Sequence, residues 1–341
     1  MSYSEMIQMR FFILSLLRYL SNNKLSLRSL ERSCLKSLAV AHPTGATQQA
    51  LPEKTTEELL HHFDLKEYFK NPYPFVIRGL IKNSDAVKNW SPESFMERFG
   101  ELDSPIRLID ENGYNVGPDK RHETGKLKEV IESMIQGKAN SKYVDNFADF
   151  FAKNLGLEKE IDMERIQTVL GAKLFGSQLF IGGPGTKTIW HCANGFNIFA
   201  NIYGEKEWQL AHPRYTPFFG GDVHEKAIYA FSHIPHTKKR EEYLHEFPYF
   251  DRVPTFRALL QPGDVLINPS WWWHCVTNMT PATIGVANRF EGPLWKGNQN
   301  KVYAFLQAIT PFQWKIYARL NKGERLNDDM SKNHFRDQGR K

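Results

Sequence analysis

Two histidines of this 341-residue chain close segments of strand character. His191 ends the run Gly185-Thr186-Lys187-Thr188-Ile189-Trp190-His191, directly after a Gly-Pro-Gly turn. His274 follows the turn Pro262-Gly263-Asp264, the apolar run Val265-Leu266-Ile267, and the cluster Trp271-Trp272-Trp273. Apolar sequence ahead of both places their imidazoles in the mouth of a β-fold rather than in bulk water. Two imidazoles from separate strands of one barrel can converge on a metal ion. Each can equally be a lone core histidine, and spacing alone leaves both readings open. Lys206 shares strand parity with Trp208 and Leu210, so it faces the apolar side, where an ammonium needs an anionic partner. Cys192 and Cys275 adjoin the two histidines, and period-two alternation turns both thiols away from a metal held between them. His212, His233 and His236 supply a further ligand only if the segment 211–261 folds back over the mouth.

The elements that must position these residues follow from turn and cap signals. Residues 41–54 read as a linker, and Thr55 with Glu58 forms a capping box that opens a helix. A strand at 75–79 is closed by Gly79. A second helix starts at Ser91-Pro92-Glu93 and stops at Gly100. A strand at 106–109 leads into a hairpin turn at Asn112-Gly113. Leu127, Val130, Ile131 and Met134 mark a helix ended by Gly137. Beyond residue 140, strand-like runs at 174–181, 188–192, 197–203, 207–210, 265–268 and 283–288 predict an antiparallel sandwich or barrel. Residues 211–261 read as a long polar and aromatic insertion. Two apolar helical stripes follow Gly297: Val302, Phe305, Leu306 and Ile309, then Phe312, Ile316 and Leu320. The expected division is a basic N-terminal extension and linker (1–54), a barrel domain (55–298) and a C-terminal helical segment with a basic tail (299–341).

Composition excludes several classes. Hydrophobic residues at 41% and charged residues at 24% rule out global disorder, collagen-like and coiled-coil chains. Lysine and arginine number 44 against 38 acids, an excess too small to argue for nucleic acid. Three cysteines make neither a disulfide framework nor a zinc motif, which suits a reducing, cytoplasmic setting. No run approaches the ~18 apolar residues of a membrane span. The first 50 residues are nonetheless biased, with Arg10, Arg18, Lys24, Arg28, Arg32 and Lys36 against Glu5 and Glu31. They fit an organellar transit peptide, a helix in contact with a membrane surface, or a helix lying on the domain.

The stretches 185–213 and 261–290 resemble the Jumonji-C and cupin-like Fe(II)/2-oxoglutarate-dependent oxygenases, in particular the branch that includes the asparaginyl hydroxylase acting on hypoxia-inducible factor. The motifs that carry the resemblance are G-T-x-T-x-x-H ending at His191, Asn197 six residues later, the G-x-K turn ending at Lys206, and P-G-D followed by an apolar strand, Pro269 and W-W-H ending at His274. The resemblance implies a mainly β chain with flanking helices, folded as a double-stranded β-helix (jelly-roll, cupin-like) barrel. It implies His191 and His274 as iron ligands and Lys206 as partner of the distal carboxylate of 2-oxoglutarate. Thr188 and Tyr143 would hold the same co-substrate, and Asn197 and Asn288 would line its pocket. O2 and an amino-acid, peptide or small-molecule substrate are the implied partners. A homodimer through the C-terminal helices is also expected.

One position departs from the pattern. The family's iron-binding acid lies two residues after the first histidine, where this chain has Ala193; Asn194 follows, on the opposite strand face. His191, Ala193 and His274 are therefore the expected catalytic centre, and three chemistries fit it. Chloride or bromide could fill the position, as in non-haem iron halogenases; water could fill it in a hydroxylase; or the barrel could be an inactive binding module. Halogen transfer is the expectation carried forward.

Overall fold

The computed structural model describes residues 3–22, 24–40, 42, 44–108, 122–136, 142–147, 150–151, 156–224, 226–232, 234, 244–290, 299–322 and 324. The chain opens with helices α1 (Tyr3–Leu20) and α2 (Arg28–Val40). Two short strands follow, β1 (Gln48–Ala50) and β2 (Glu53–Lys54), so the expected linker is partly strand. β1 pairs parallel with a strand of one sheet and β2 with a strand of the other, which ties this segment to both layers.

α3 (Thr56–His62) starts at the expected capping box, in which the Thr55 hydroxyl accepts the Glu58 N–H and the Glu58 carboxylate accepts the Thr55 N–H at 2.6 Å. Then come α4 (Leu65–Tyr68), β3 (Phe75–Ile77), α5 (Asp85–Asn89), α6 (Pro92–Phe99), β4 (Asp103–Leu108), β5 (His122–Lys126), α7 (Leu127–Ile135), β6 (Lys142–Phe147), α8 (Leu157–Glu160) and α9 (Met163–Leu170). The turn at Asn112-Gly113 and the stop at Gly137 lie outside the described residues, but β4 and β5 do pair antiparallel.

The barrel proper runs through β7 (Leu174–Gly182), β8 (His191–Ala193), β9 (Phe196–Tyr203) and β10 (Lys206–Ala211). α10 (Thr216–Phe219), β11 (Asp222–Val223) and β12 (Tyr229–Phe231) follow, then β13 (Thr255–Leu260), β14 (Val265–Asn268), β15 (Trp273–Asn278) and β16 (Thr283–Phe290). One sheet has the order β1-β13-β10-β15-β8-β12-β11; the other runs β2-β3-β14-β9-β16-β7-β6-β4-β5. From β7 to β10 and from β13 to β16, consecutive strands alternate between the sheets, which is the winding of a jelly roll. The expected insertion at 211–261 is thus only partly a loop. Its last residues form β13, paired to both β1 and β10, because Thr255, Ala258 and Leu260 can be buried while Arg257 and Leu259 stay outside.

Strand alternation gives each sheet two apolar faces. The inner faces meet as Val76, Phe199, Trp208, Leu210, Leu266 and Val276. The outer face of the nine-stranded sheet (Ile198, Ala200, Ile267, Val286) packs on α6, α7 and α9. The outer face of the seven-stranded sheet (Cys192, Trp273, Cys275) packs on α1, α2 and α11 (Lys301–Ile309), which precedes α12 (Pro311–Asn321). The first apolar stripe of the helices expected at a homodimer interface is partly used up inside the chain: Leu306 is buried and Phe305 meets Phe12 edge-on at 5.0 Å.

Candidate active site

β8 and β15 pair so that His191 and His274 stand directly opposite one another, with ring centroids 4.1 Å apart. The Nδ1 of His191 lies 2.8 Å from the Ile189 carbonyl, and that of His274 lies 2.9 Å from the Trp272 carbonyl. A carbonyl only accepts, so both Nδ1 atoms carry the proton and each lone pair is left on Nε2, the arrangement of a metal-ligating imidazole. Burial and the facing His191 hold His274 well below the usual imidazole range, so His274 stays neutral. Asn268 Nδ2 lies 3.3 Å from the same His274 Nδ1, while Asn268 Oδ1 has no partner. With the amide oxygen turned to the imidazole, Asn268 accepts from the same Nδ1–H.

The tryptophan cluster positions His274 by alternation. Trp271 and Trp273 are buried in the helical layer, Trp273 stacking on Phe219 at 4.4 Å and donating to Thr216 Oγ1. Trp272 turns inward with His274. Trp271 has φ +62, unusual for a bulky side chain, and its N–H donates to the Ala193 carbonyl at 2.7 Å. That bond ties the start of β15 to β8, so the two histidine strands are fixed to each other at the mouth.

Further along the interior, Lys206 is 1% exposed. Its Nζ donates to Asn278 Oδ1 at 2.6 Å and to Thr283 Oγ1 at 2.9 Å, and no carboxylate pairs with it among the described residues. Burial pushes its pKa down to about 7. The preceding turn needs Gly204, which has φ +67 and would bring any Cβ to 2.1 Å from the Ala282 carbonyl. Gly182 is also bound by space: a Cβ there would meet Asn278 at 2.4 Å, Tyr143 at 2.6 Å and Thr186 at 2.7 Å. Tyr143, buried on β6, is thereby placed beside Lys206's partner Asn278. Gly182→Ala is expected to displace these groups and destabilise the fold by about 1–3 kcal/mol, read as a fall in melting temperature.

The other expected residues are placed less uniformly. Thr188 Oγ1 accepts the Val276 N–H at 2.9 Å and keeps its own O–H to donate. Asn197 is buried, with an unpartnered Oδ1, and stands across from Asn268 and Arg289. Asn288 corrects the sequence expectation. It lies opposite Ile198 and Ser177 and donates to the Ile198 carbonyl, on the helix-facing side of the sheet. Its neighbour Arg289 takes the interior face instead, since a Cβ on Gly285, of the same parity, would touch Phe199 and Lys206.

Ala193 shares a strand face with His191, and Asn194 points away to Gln313 at 3.1 Å. Cys192 and Cys275 face the helical layer. His212 packs on Trp272 and accepts the Arg214 N–H; burial and Arg214 push its pKa down to about 4. His233 and His236 lie outside the described residues. Among the described residues no group of three His, Cys, Asp or Glu side chains could hold a metal ion.

Sequence reasoning missed Asn278 and Thr283, the partners of Lys206, and Arg289. Arg289 is half-buried, donates to Gln178 Oε1 at 3.1 Å, and acts on His274 electrostatically. Burial lowers its pKa to about 10, and no carboxylate pairs with it among the described residues. Asn278 was findable, being four residues beyond His274 and so on the same strand face.

Comparison with known proteins gives one family. Residues 61–291 match the profile described as "Cupin-like domain". HSPB1-associated protein 1 of Rattus norvegicus is 29% identical over 119 residues, 34% of this chain and 24% of that protein. Lysine-specific demethylase JMJ21 of Arabidopsis thaliana is 23% identical over 246 residues, 69% of this chain and 24% of that protein. JmjC domain-containing protein 8 of Mus musculus is 24% identical over 238 residues, 67% of this chain and 79% of that protein. The match to HSPB1-associated protein 1 spans about a quarter of that relative's length.

Proposed function

We propose, from the premise that the chain belongs to the cupin-like domain family, that it is a non-haem Fe(II)/2-oxoglutarate-dependent oxidoreductase acting on a C–H bond of an amino-acid, peptide or other small-molecule substrate. Lys206 carries this reading. A buried ammonium held only by neutral groups is unfavourable until an anion joins it. 2-Oxoglutarate has two carboxylates, one for Lys206 and one to turn toward the histidine pair on the same interior face.

The donor set fits iron: His191 and His274 would hold it through Nε2, and imidazole suits that metal. When bound, iron would supply the activation of O2. The chain's own residues do the rest. The Ile189 and Trp272 carbonyls fix the imidazole tautomers, Lys206 anchors one end of the co-substrate, and Phe199, Trp208 and Val276 keep water from the space between.

The third ligand position is where chemistries divide. The two imidazoles, the Ala193 methyl and the Arg289 guanidinium bring no negative charge to the centre. An exogenous anion is therefore favoured there, and chloride or bromide makes halogen transfer the proposed outcome. Hydroxylation with water at that position is the second reading, supported by the same Lys206 geometry. The test is 2-oxoglutarate turnover to succinate in halide against nitrate at constant ionic strength. Halide-stimulated turnover is expected. Turnover indifferent to halide, with hydroxylated product, would reject the halide and keep the oxygenase. No turnover with 2-oxoglutarate still bound would mark a binding module.

A further inference from the structure

We propose that the helical layer formed by α1, α2, α11 and α12 docks the protein on an anionic membrane surface, through the outward arc of α1. One side of α1 is committed to the fold. Ile7 and Leu14 are buried, Phe12 meets Phe305, and the Tyr19 hydroxyl pairs with Thr310 Oγ1 at 2.6 Å. The opposite arc is also apolar. Met6, Met9, Ile13, Leu17 and Leu20 are 42% to 67% exposed and recur at spacings of three and four, one continuous stripe down the helix. The Tyr19–Thr310 bond sets the end of this stripe beside the corner between α11 and α12, where Ile309 and Trp314 are exposed as well. Contiguous exposed apolar surface of this kind marks an interaction site.

Charge selects the occupant. Residues 1–40 and 299–322 hold ten lysines and arginines against two acids, Glu5 and Glu31. The whole chain's excess is only six, so the remainder of the molecule is net acidic. Glu31 is turned inward on Arg18, which also reaches Asp222, and this neutralises the layer's interior while Arg10, Lys24, Arg32 and Lys36 stay exposed. A second copy docking face to face would set one basic layer against another. Anionic lipid headgroups supply the opposite charge, and the apolar stripe with Trp314 suits the acyl boundary. No helix among the described residues is long and apolar enough to cross a membrane, so the contact is peripheral.

The inference is independent of the proposed chemistry. Its test is co-sedimentation of the full chain with vesicles of phosphatidylcholine alone and of phosphatidylcholine with phosphatidylserine. Wild type is expected to bind only the mixed vesicles, with binding that weakens as salt rises. Ile13→Glu with Leu17→Glu, and separately Arg10→Glu with Lys24→Glu, should each cut the bound fraction at least tenfold with unchanged circular dichroism and melting temperature. Absence of binding to the anionic vesicles overturns the proposal. So does a dimer seen by light scattering that the Ile13→Glu, Leu17→Glu variant dissolves, since the stripe would then belong to a second copy.

Discussion

Lys206→Met is expected to raise the melting temperature of the ligand-free protein and to weaken 2-oxoglutarate binding by ~30-fold or more. The first effect follows from removing a buried amine whose described partners are all neutral. The second is the loss of about 2 kcal/mol or more when a buried carboxylate is left without its cation. The pH dependence separates this account from simple repacking. The Lys206 pKa of about 7 lies below that of an unfolded lysine, so the unfolded chain binds more protons above pH 7. Wild-type stability should therefore rise with pH from about 7 toward 10. Co-substrate affinity should fall over the same range, because the amine must take up a proton as the carboxylate enters. Both slopes should disappear in Lys206→Met. Titration calorimetry giving equal affinity in the two proteins would remove Lys206 from the site.

Ala193→Asp is expected to tighten Fe(II) binding at least about tenfold and to abolish any halide effect. The new carboxylate would lie on the same strand face as His191, two residues away, and add an oxygen donor to two nitrogen donors. Arg289, on the interior face near His274, would offset part of the added charge. Halogenated product should be replaced by hydroxylated product or by succinate formed without product. If wild type and variant bind iron equally, Ala193 does not border the metal position and the halide reading fails with it.

Much of the barrel was legible because its long strands are apolar on both faces. The expected run at 265–268 coincides with β14, and those at 174–181 and 197–203 fall short of β7 and β9 by only one residue each. β15 was not, since Trp-His-Cys-Val-Thr-Asn carries no simple alternation of polarity; its two faces meet a polar site and a helical layer rather than core and solvent. Asn278 was legible as a residue on the face of His274, but not as the partner of Lys206, a pairing set by the β10–β15 register. Asn288 was assigned one residue out of phase with the interior. A shift of one position exchanges the faces of a strand, and the register of β16 shows that Arg289 holds the inward place. The role of α1 in covering Phe305 was equally invisible, because the two helices lie at opposite ends of the chain.

On the proposed function, His191, His274 and Lys206 form one site for Fe(II) and 2-oxoglutarate. Anaerobic native mass spectrometry of the full chain, with Fe(II) and 2-oxoglutarate added singly and together, tests it most directly. One iron and one 2-oxoglutarate per chain are expected, each binding more tightly in the presence of the other. Iron should be lost in His274→Ala and the co-substrate in Lys206→Met. Wild-type protein that gains neither mass at saturating concentrations, or that keeps both in the two variants, would contradict it.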